Sequence, residues 1–484
     1  MKRVLSNPLA ALSAGLCLRL YFVLKFPAAS DDTVLYEQIA TNWLKHHAYA
    51  VTVGGQMMPV DVRMPGYPAF LAIVYALTRR TGVSARFWVM LVQIAADLAT
   101  CLVIAGLATT LLLMVNERAR PQRVFAAALW LSALCPFTAN YTAIPLTEVF
   151  AVFFTAAALF SFCMLVDRSG GDSFPIVKED WALGNDYWYW ARLGAVTVGL
   201  ATLFRPESPM LLVVAWSVLS VVLLHHGEVS RTVRTVVVTG FVCLLPLAPW
   251  AIRNAITLHE AQFLAPKNMN LPSELVPYGF MAWEKTWLYR VRDCYLVPWK
   301  LNDEAILVDD IPMRAFDTSE EKQRVSVILE RYNNELTLTP EEDAEFAQLA
   351  NERTMRHPSR TYLWIPAARA LTIWFTPRIE LLPVSGNVFP LRQMREDDPV
   401  DQEVSILFFV MNLFYVALGV CGAARLWRAN PAARPAVAFL VLFIVLRTAF
   451  LTTLETPEPR YVLVCFPALI ALGAHVFASY SEGP

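Results

Sequence analysis

Long apolar runs constrain this chain more than any other feature of it. A helix that crosses a bilayer needs about 20 apolar residues, and in hydrocarbon every backbone N–H and C=O must be satisfied within the protein. Hydropathy marks ten such segments, at about 7–27, 86–114, 122–142, 147–166, 188–204, 208–224, 232–251, 404–428, 434–453 and 459–479. Of the 484 residues, 56% are hydrophobic and only 17% charged, which no ordinary soluble domain shows. The chain reads as an all-α polytopic membrane protein embedded in a lipid bilayer. Its net charge of −1 leaves nothing to attract nucleic acid.

The first segment imitates a signal peptide, with Lys2 and Arg3 ahead of an apolar stretch. Arg19 and Lys25 interrupt that stretch, which a cleaved signal seldom tolerates. It reads as a retained first span, whose Arg19 should face protein or a polar cavity rather than lipid. Seven of the eight cysteines lie in apolar runs and only Cys294 falls in a polar region, so no disulfide framework follows.

The run Tyr67–Thr78 is apolar but too short to span. If Gly66–Thr78 stays on the outer surface as an interfacial or re-entrant helix, the basic loop at 116–123 faces the cytoplasm. Arg231, Arg234, Arg425, Arg428 and Arg434 then do so too, as the positive-inside preference asks. Arg79, Arg80 and Arg86 outside, and an acidic inner loop around Lys178–Asp186, are the exceptions. The chain divides accordingly into a transmembrane module at 1–252 with a first outer loop at 28–85, an extracytoplasmic region at 253–403, and C-terminal transmembrane helices at 404–484. Within 253–403, Thr318 with Glu321 forms the signature of a capping box ahead of Val325, Ile328, Leu329 and Tyr332. Thr339-Pro340-Glu341-Glu342 marks a second helix start. Arg360–Phe375 reads as a short interfacial helix.

The first outer loop holds the densest polar chemistry. Asp31 and Asp32 open an amphipathic helix in which Leu35, Ile39 and Trp43, with Tyr36, Ala40 and Leu44 beside them, form an apolar face. Glu37, Gln38, Thr41, Asn42 and Lys45 form the other. Such a helix lies in the membrane interface and presents two acids at its N-terminus. On the same side the topology collects Arg63, Glu148, Arg205, Glu207, Arg253, Glu455, Glu458 and Arg460. Guanidinium groups at span ends suit a phosphate; a helix-capping role accounts equally well for Arg205 or Arg253 taken singly. His46 and His47 leave a divalent cation conceivable, although adjacent histidines on a helix point to different sides.

The order of short motifs is similar to a known pattern. It comprises a first span with Arg19, then Asp32, Tyr36, Ala40, Asn42 and Leu44 in register, then Arg63-Met64-Pro65-Gly66-Tyr67-Pro68. The turn ending in Glu148, Leu203-Phe204-Arg205-Pro206, Pro249-Trp250-Ala251-Ile252-Arg253-Asn254, and Glu458-Pro459-Arg460-Tyr461 follow. The sequence resembles the GT-C glycosyltransferases of the protein O-mannosyltransferase-like family (glycosyltransferase family 39), which also holds the aminoarabinose transferase of lipid A modification. The match is close over the N-terminal half and looser in the C-terminal third. The resemblance implies transfer of a sugar from a polyprenyl-phosphate carrier to a lipid, glycan or protein acceptor on the extracytoplasmic face of a bacterial-type plasma membrane, with inversion. It places Asp32, with Asp31 as fallback, as base or acceptor-positioning group. It places Arg253, Arg460, Arg205 and Arg63 around the lipid phosphate, and Glu148, Tyr36 and Tyr67 toward acceptor and sugar. Arg63-Met64-Pro65 departs from the acid-and-lysine or second-proline pattern of many relatives, so no metal or lysine role is carried to this loop. A secondary transporter would need charges at mid-membrane in two matching halves, and a non-enzymatic scaffold would tolerate loss of Asp32.

Overall fold

The computed structural model describes residues 7–116, 119–169, 187–266, 268, 274–377, 382, 384, 386, 388–389 and 391–480. The acidic loop around 178–186, Lys2 and Arg3, and part of the basic loop at 116–123 lie outside these residues. Among the described residues the regular structure is helical apart from one hairpin, β1 (Ala50–Val53) with β2 (Gln56–Pro59), which pair antiparallel with Ala50 opposite Pro59.

Among the described residues seven helices are long and apolar enough to cross a membrane, and the bent pair Gln122–Ala133 and Pro136–Ala143 makes an eighth. The bend is 46°, and its cause is in the sequence: Pro136 has no N–H to continue the ladder. The other two segments read as spans form helices of 16 residues each, Tyr187–Thr202 and Met210–His225. Gly66–Thr78, at 13 residues, is the short apolar helix expected there.

The chain forms two compact units, Met1–Met269 with Leu413–Leu446 and Leu463–Pro484, and Asn270–Asn412 with Arg447–Val462. The first contains helices α1 (Pro8–Lys25), α2 (Asp31–His46), α3 (Gly66–Thr78), α4 (Arg86–Val115), α5 (Gln122–Ala133), α6 (Glu148–Asp167), α7 (Tyr187–Thr202), α8 (Met210–His225), α9 (Val229–Leu244) and α10 (Ala248–Thr257). α6 packs between α4 and α7 and is buried along most of its length. Arg19 faces protein, as its cost in lipid demands. It is wholly buried, pairs with Asp97 of α4 at 2.5 Å, and donates to the carbonyls of Gly15 (2.9 Å) and Ala133 (2.7 Å). The last of these lies beside the bend.

Gly66 opens α3 where it meets the end of α7. Its N–H donates to the Leu203 carbonyl at 2.8 Å, and a Cβ there would lie 2.5 Å from that same oxygen. Only glycine permits this approach. Gly66→Ala is expected to cost about 1–3 kcal/mol through the forced backbone shift, seen as a lower unfolding temperature in detergent. An unchanged midpoint would show that α3 can back away freely.

The second unit packs α11 (Tyr278–Lys285), α12 (Ser319–Glu335) and α13 (Pro340–Arg356) around Phe280, Trp283, Trp287, Val325, Ile328, Leu329, Tyr332 and Phe346. Thr339 and Glu342 close the full capping box. At α12 only half of one forms. Thr318 accepts from the Glu321 N–H at 3.1 Å, while the Glu321 carboxylate turns to the buried Arg353 and to Arg356. Arg360–Phe375 is helical, with a π-turn at Arg360–Trp364 before α14 (Ile365–Phe375).

Glu284, at the end of α11, is 1% exposed. Burial, helped by the charge of Glu455 and opposed by Arg369, pushes its carboxyl well above the usual range. The folded state therefore keeps a proton that the unfolded chain releases above its ordinary value of 4.5. The stabilisation is complete below that value and is lost as pH climbs toward the raised folded one. Glu284→Gln is accordingly expected to gain stability relative to wild type as pH rises above about 5, read from thermal unfolding. Parallel curves would contradict a neutral Glu284.

Candidate active site

Five helix ends meet around the first loop in the first unit: the C-terminus of α1, the N-termini of α4 and α6, and the C-termini of α7 and α10. The first loop lies across them. Ser30 caps α2 in a reciprocal box with Thr33, and the Thr33 hydroxyl also donates to the Pro145 carbonyl at 3.2 Å. That bond fixes the start of α2 against the turn preceding α6. Asp32, in the first turn of α2, meets Arg63 at 2.5 Å; the two side chains are 29% and 12% exposed. Arg63 is held from behind, since the Tyr49 hydroxyl donates to its carbonyl at 2.8 Å. Asp31, next in sequence, faces outward and is exposed.

A second ion pair comes from the other elements. Glu148 begins α6 and is buried, and its Oε1 lies 2.5 Å from Nη2 of Arg205, just beyond α7. Tyr36 ties the two pairs together. Burial pushes its hydroxyl up to about 12, while the charges of Arg63 and Arg205 pull it down and those of Asp32 and Glu148 push it up. Its environment thus contains all four groups. The Arg63 guanidinium is 5.8 Å from the Tyr36 ring centre, and the Tyr67 ring packs edge-on at 5.1 Å.

Beside this cluster lies a cavity of about 460 Å³, walled by Trp43, Tyr49, Pro65, Leu203, Trp250 and Arg253 among others. Its lining is largely aromatic and aliphatic, with Arg253 and His47 among its polar members. Arg253 donates to the carbonyls of Tyr49 (2.6 Å) and Val60 (2.8 Å) and stacks near the rings of Tyr49 and Trp250. It thereby fastens the hairpin loop to α10 while presenting charge to the cavity.

No protein-family model and no curated protein matches this chain. Solved structures do. The oligosaccharyltransferase of Archaeoglobus fulgidus, tethered to an acceptor peptide containing the NVT sequon, matches 96% of this chain at 13% identity with a TM-score of 0.50. The chain has the GT-C fold. It spans 49% of that oligosaccharyltransferase, about half its length. The same archaeal enzyme with an inhibitory peptide and a dolichol-phosphate matches with a TM-score of 0.48, at 13% identity over 96% of this chain and 50% of that one. ArnT from Cupriavidus metallidurans bound to undecaprenyl phosphate gives 0.38, at 11% identity over 96% of this chain and 77% of that one.

Within the GT-C bundle, the structure brings Asp32, Arg63, Tyr36, Glu148 and Arg205 together and leaves Asp31 outside. Arg253 stands at the cavity wall. Tyr67 is fully buried, and its hydroxyl donates to Gln93 rather than facing open space. Arg460 belongs to the second unit, where it pairs with Glu458, whose Oε1 accepts from the Tyr461 hydroxyl at 2.8 Å. Glu455 pairs there with Lys285 at 2.7 Å. Among the described residues no three His, Cys, Asp or Glu side chains are grouped to hold a metal ion.

One expectation needs correcting. Glu37 and Asn42, assigned to the polar face of α2, are buried. α3, β1 and the turn Gly82–Ala85 cover that face, so each polar group needs a partner. Glu37 binds Arg86 through both oxygens at 2.7 and 2.9 Å, and Asn42 donates to the Ala50 carbonyl at 3.0 Å. Arg86, expected as an exception to the positive-inside preference, thus has a partner in Glu37. Gln93 and Asp97 are polar residues inside the apolar run of α4 that the charge pattern at span ends does not single out; their signal is that a polar side chain in such a run needs a buried partner.

Proposed function

We propose that this integral membrane protein transfers a sugar from a polyprenyl-phosphate carrier to an acceptor hydroxyl or amine, with inversion, on the extracytoplasmic side. The observation that carries the reading is the pairing of Asp32 with Arg63 and of Glu148 with Arg205 around Tyr36, next to an aromatic cavity. The GT-C fold supports it.

In this reading the cavity takes the apolar part of a substrate and Arg253 attracts the phosphate. The donor phosphate competes for Arg63, since guanidinium binds phosphate as readily as carboxylate. Asp32, so released, orients the acceptor and takes its proton as the acceptor attacks the anomeric carbon. The bond from that carbon to the phosphate oxygen breaks with its electron pair going to the phosphate. Arg63 and Arg205 stabilise the growing negative charge. Glu148 holds Arg205 in place.

The test is transfer of labelled sugar from a panel of polyprenyl-phosphate hexoses and pentoses, by membranes carrying wild type or Asp32→Asn. Wild-type transfer lost in the variant supports the assignment. Equal transfer by both removes Asp32 from the mechanism.

A further inference from the structure

Gln93 joins two parts of the candidate site's framework through one buried amide. It lies on α4, is 0% exposed, and sits where lipid would otherwise leave its amide unsatisfied. Its Oε1 accepts from the Tyr67 hydroxyl at 2.7 Å. Its Nε2 faces the carbonyls of Ile144 (2.8 Å), Thr142 (3.2 Å) and Tyr141 (3.4 Å). Each contact leads to the site. Tyr67 packs against Tyr36, the residue between the two ion pairs. The 141–144 carbonyls belong to the turn whose next residues receive Thr33 at Pro145 and begin α6 at Glu148.

We infer that Gln93 is a positioning residue: one buried amide sets the spacing between the Asp32–Arg63 pair and the Glu148–Arg205 pair. The inference rests on the functional reading above. The chemistry explains why glutamine is needed. Three carbonyls demand donors and the tyrosine demands an acceptor, and a primary amide offers two N–H donors and an acceptor oxygen at once without charge. Histidine is rigid and asparagine is one methylene short. A carboxylate would set negative charge against carbonyl oxygens. A protonated carboxyl keeps one donor and one acceptor, so it can mimic the amide in part.

That last point supplies a test with its own signature. Purified wild type, Gln93→Leu and Gln93→Glu are compared by amide hydrogen exchange at about pH 5.5 and about pH 8.5, each variant against wild type at the same pH. Gln93→Leu is expected to exchange faster in peptides covering 140–148 at both values. Gln93→Glu is expected to lie closer to wild type at the lower pH than at the higher, where the introduced carboxyl has lost its donor. Transfer should follow the same course, with kcat falling about 10- to 100-fold, as a misplaced site loses rate, and donor KM changing less.

Unchanged exchange at 140–148 in both variants overturns the inference, as does faster exchange spread evenly over the helices, which would mark Gln93 as a general stabiliser. The two readings fail separately. Full transfer by Asp32→Asn sinks the site assignment, whereas the exchange pattern reports on Gln93 whatever the reaction proves to be.

Discussion

Asp97→Leu in a chain that keeps Arg19 is expected to lower stability by about 3–5 kcal/mol, because it strands a guanidinium among apolar helices. Arg19 is wholly buried and its Nε and Nη2 both reach Asp97, so no movement of the side chain alone would bring it to water. The paired substitution Arg19→Met with Asp97→Leu is expected to recover most of the loss, since apolar packing replaces buried ion pairs at little cost. The recovery should stay incomplete. Arg19 also serves the Ala133 carbonyl at the bend of the third span, and methionine leaves that acceptor bare. Thermal unfolding in detergent decides the matter: a double variant no more stable than Asp97→Leu would show that the pair is not the source of the effect.

The largest expected effect on activity is at Asp32. Asp32→Asn should reduce transfer by about 100- to 10,000-fold, the range for losing a positioned proton acceptor, with donor binding largely kept. Asp31→Asn should stay within about twofold of wild type, because Asp31 is solvent-exposed and surface changes rarely propagate. The contrast guards against reading a folding defect as a catalytic one, since both changes remove one charge from the first turn of α2. Near-equal losses in the two variants would point instead to the helix terminus and its charge.

The large features of the fold were legible because hydrocarbon leaves few choices. Apolar runs had to be helices, Tyr67–Thr78 was too short to cross, and Arg19 needed a partner within the protein. Thr339 and Glu342 announced their helix start through local chemistry alone. The periodicity of α2 misled at Glu37 and Asn42. An amphipathic pattern tells which residues are polar but not what lies against them, and the hairpin and α3 cover the face that spacing assigned to water. The candidate site was half visible. Asp32, Glu148 and the arginines stood out as charges at span ends, but which acid meets which base depends on contacts between residues as distant as Asp32 and Arg63 or Glu148 and Arg205. Gln93 carried no charge and so drew no attention, although its position in an apolar run was the clue.

The Arg19–Asp97 contact has a consequence for how the protein is made. The two residues lie 78 positions apart, so at about 5–20 residues per second the second partner follows the first by roughly 4–16 s of synthesis. Through that interval the leading segment carries an unneutralised cation that costs about 2.5–3.5 kcal/mol at the centre of a helix entering the bilayer. Pairing with Asp97 removes that cost, so the leading segment is expected to be held more firmly in the bilayer once the later segment has joined it.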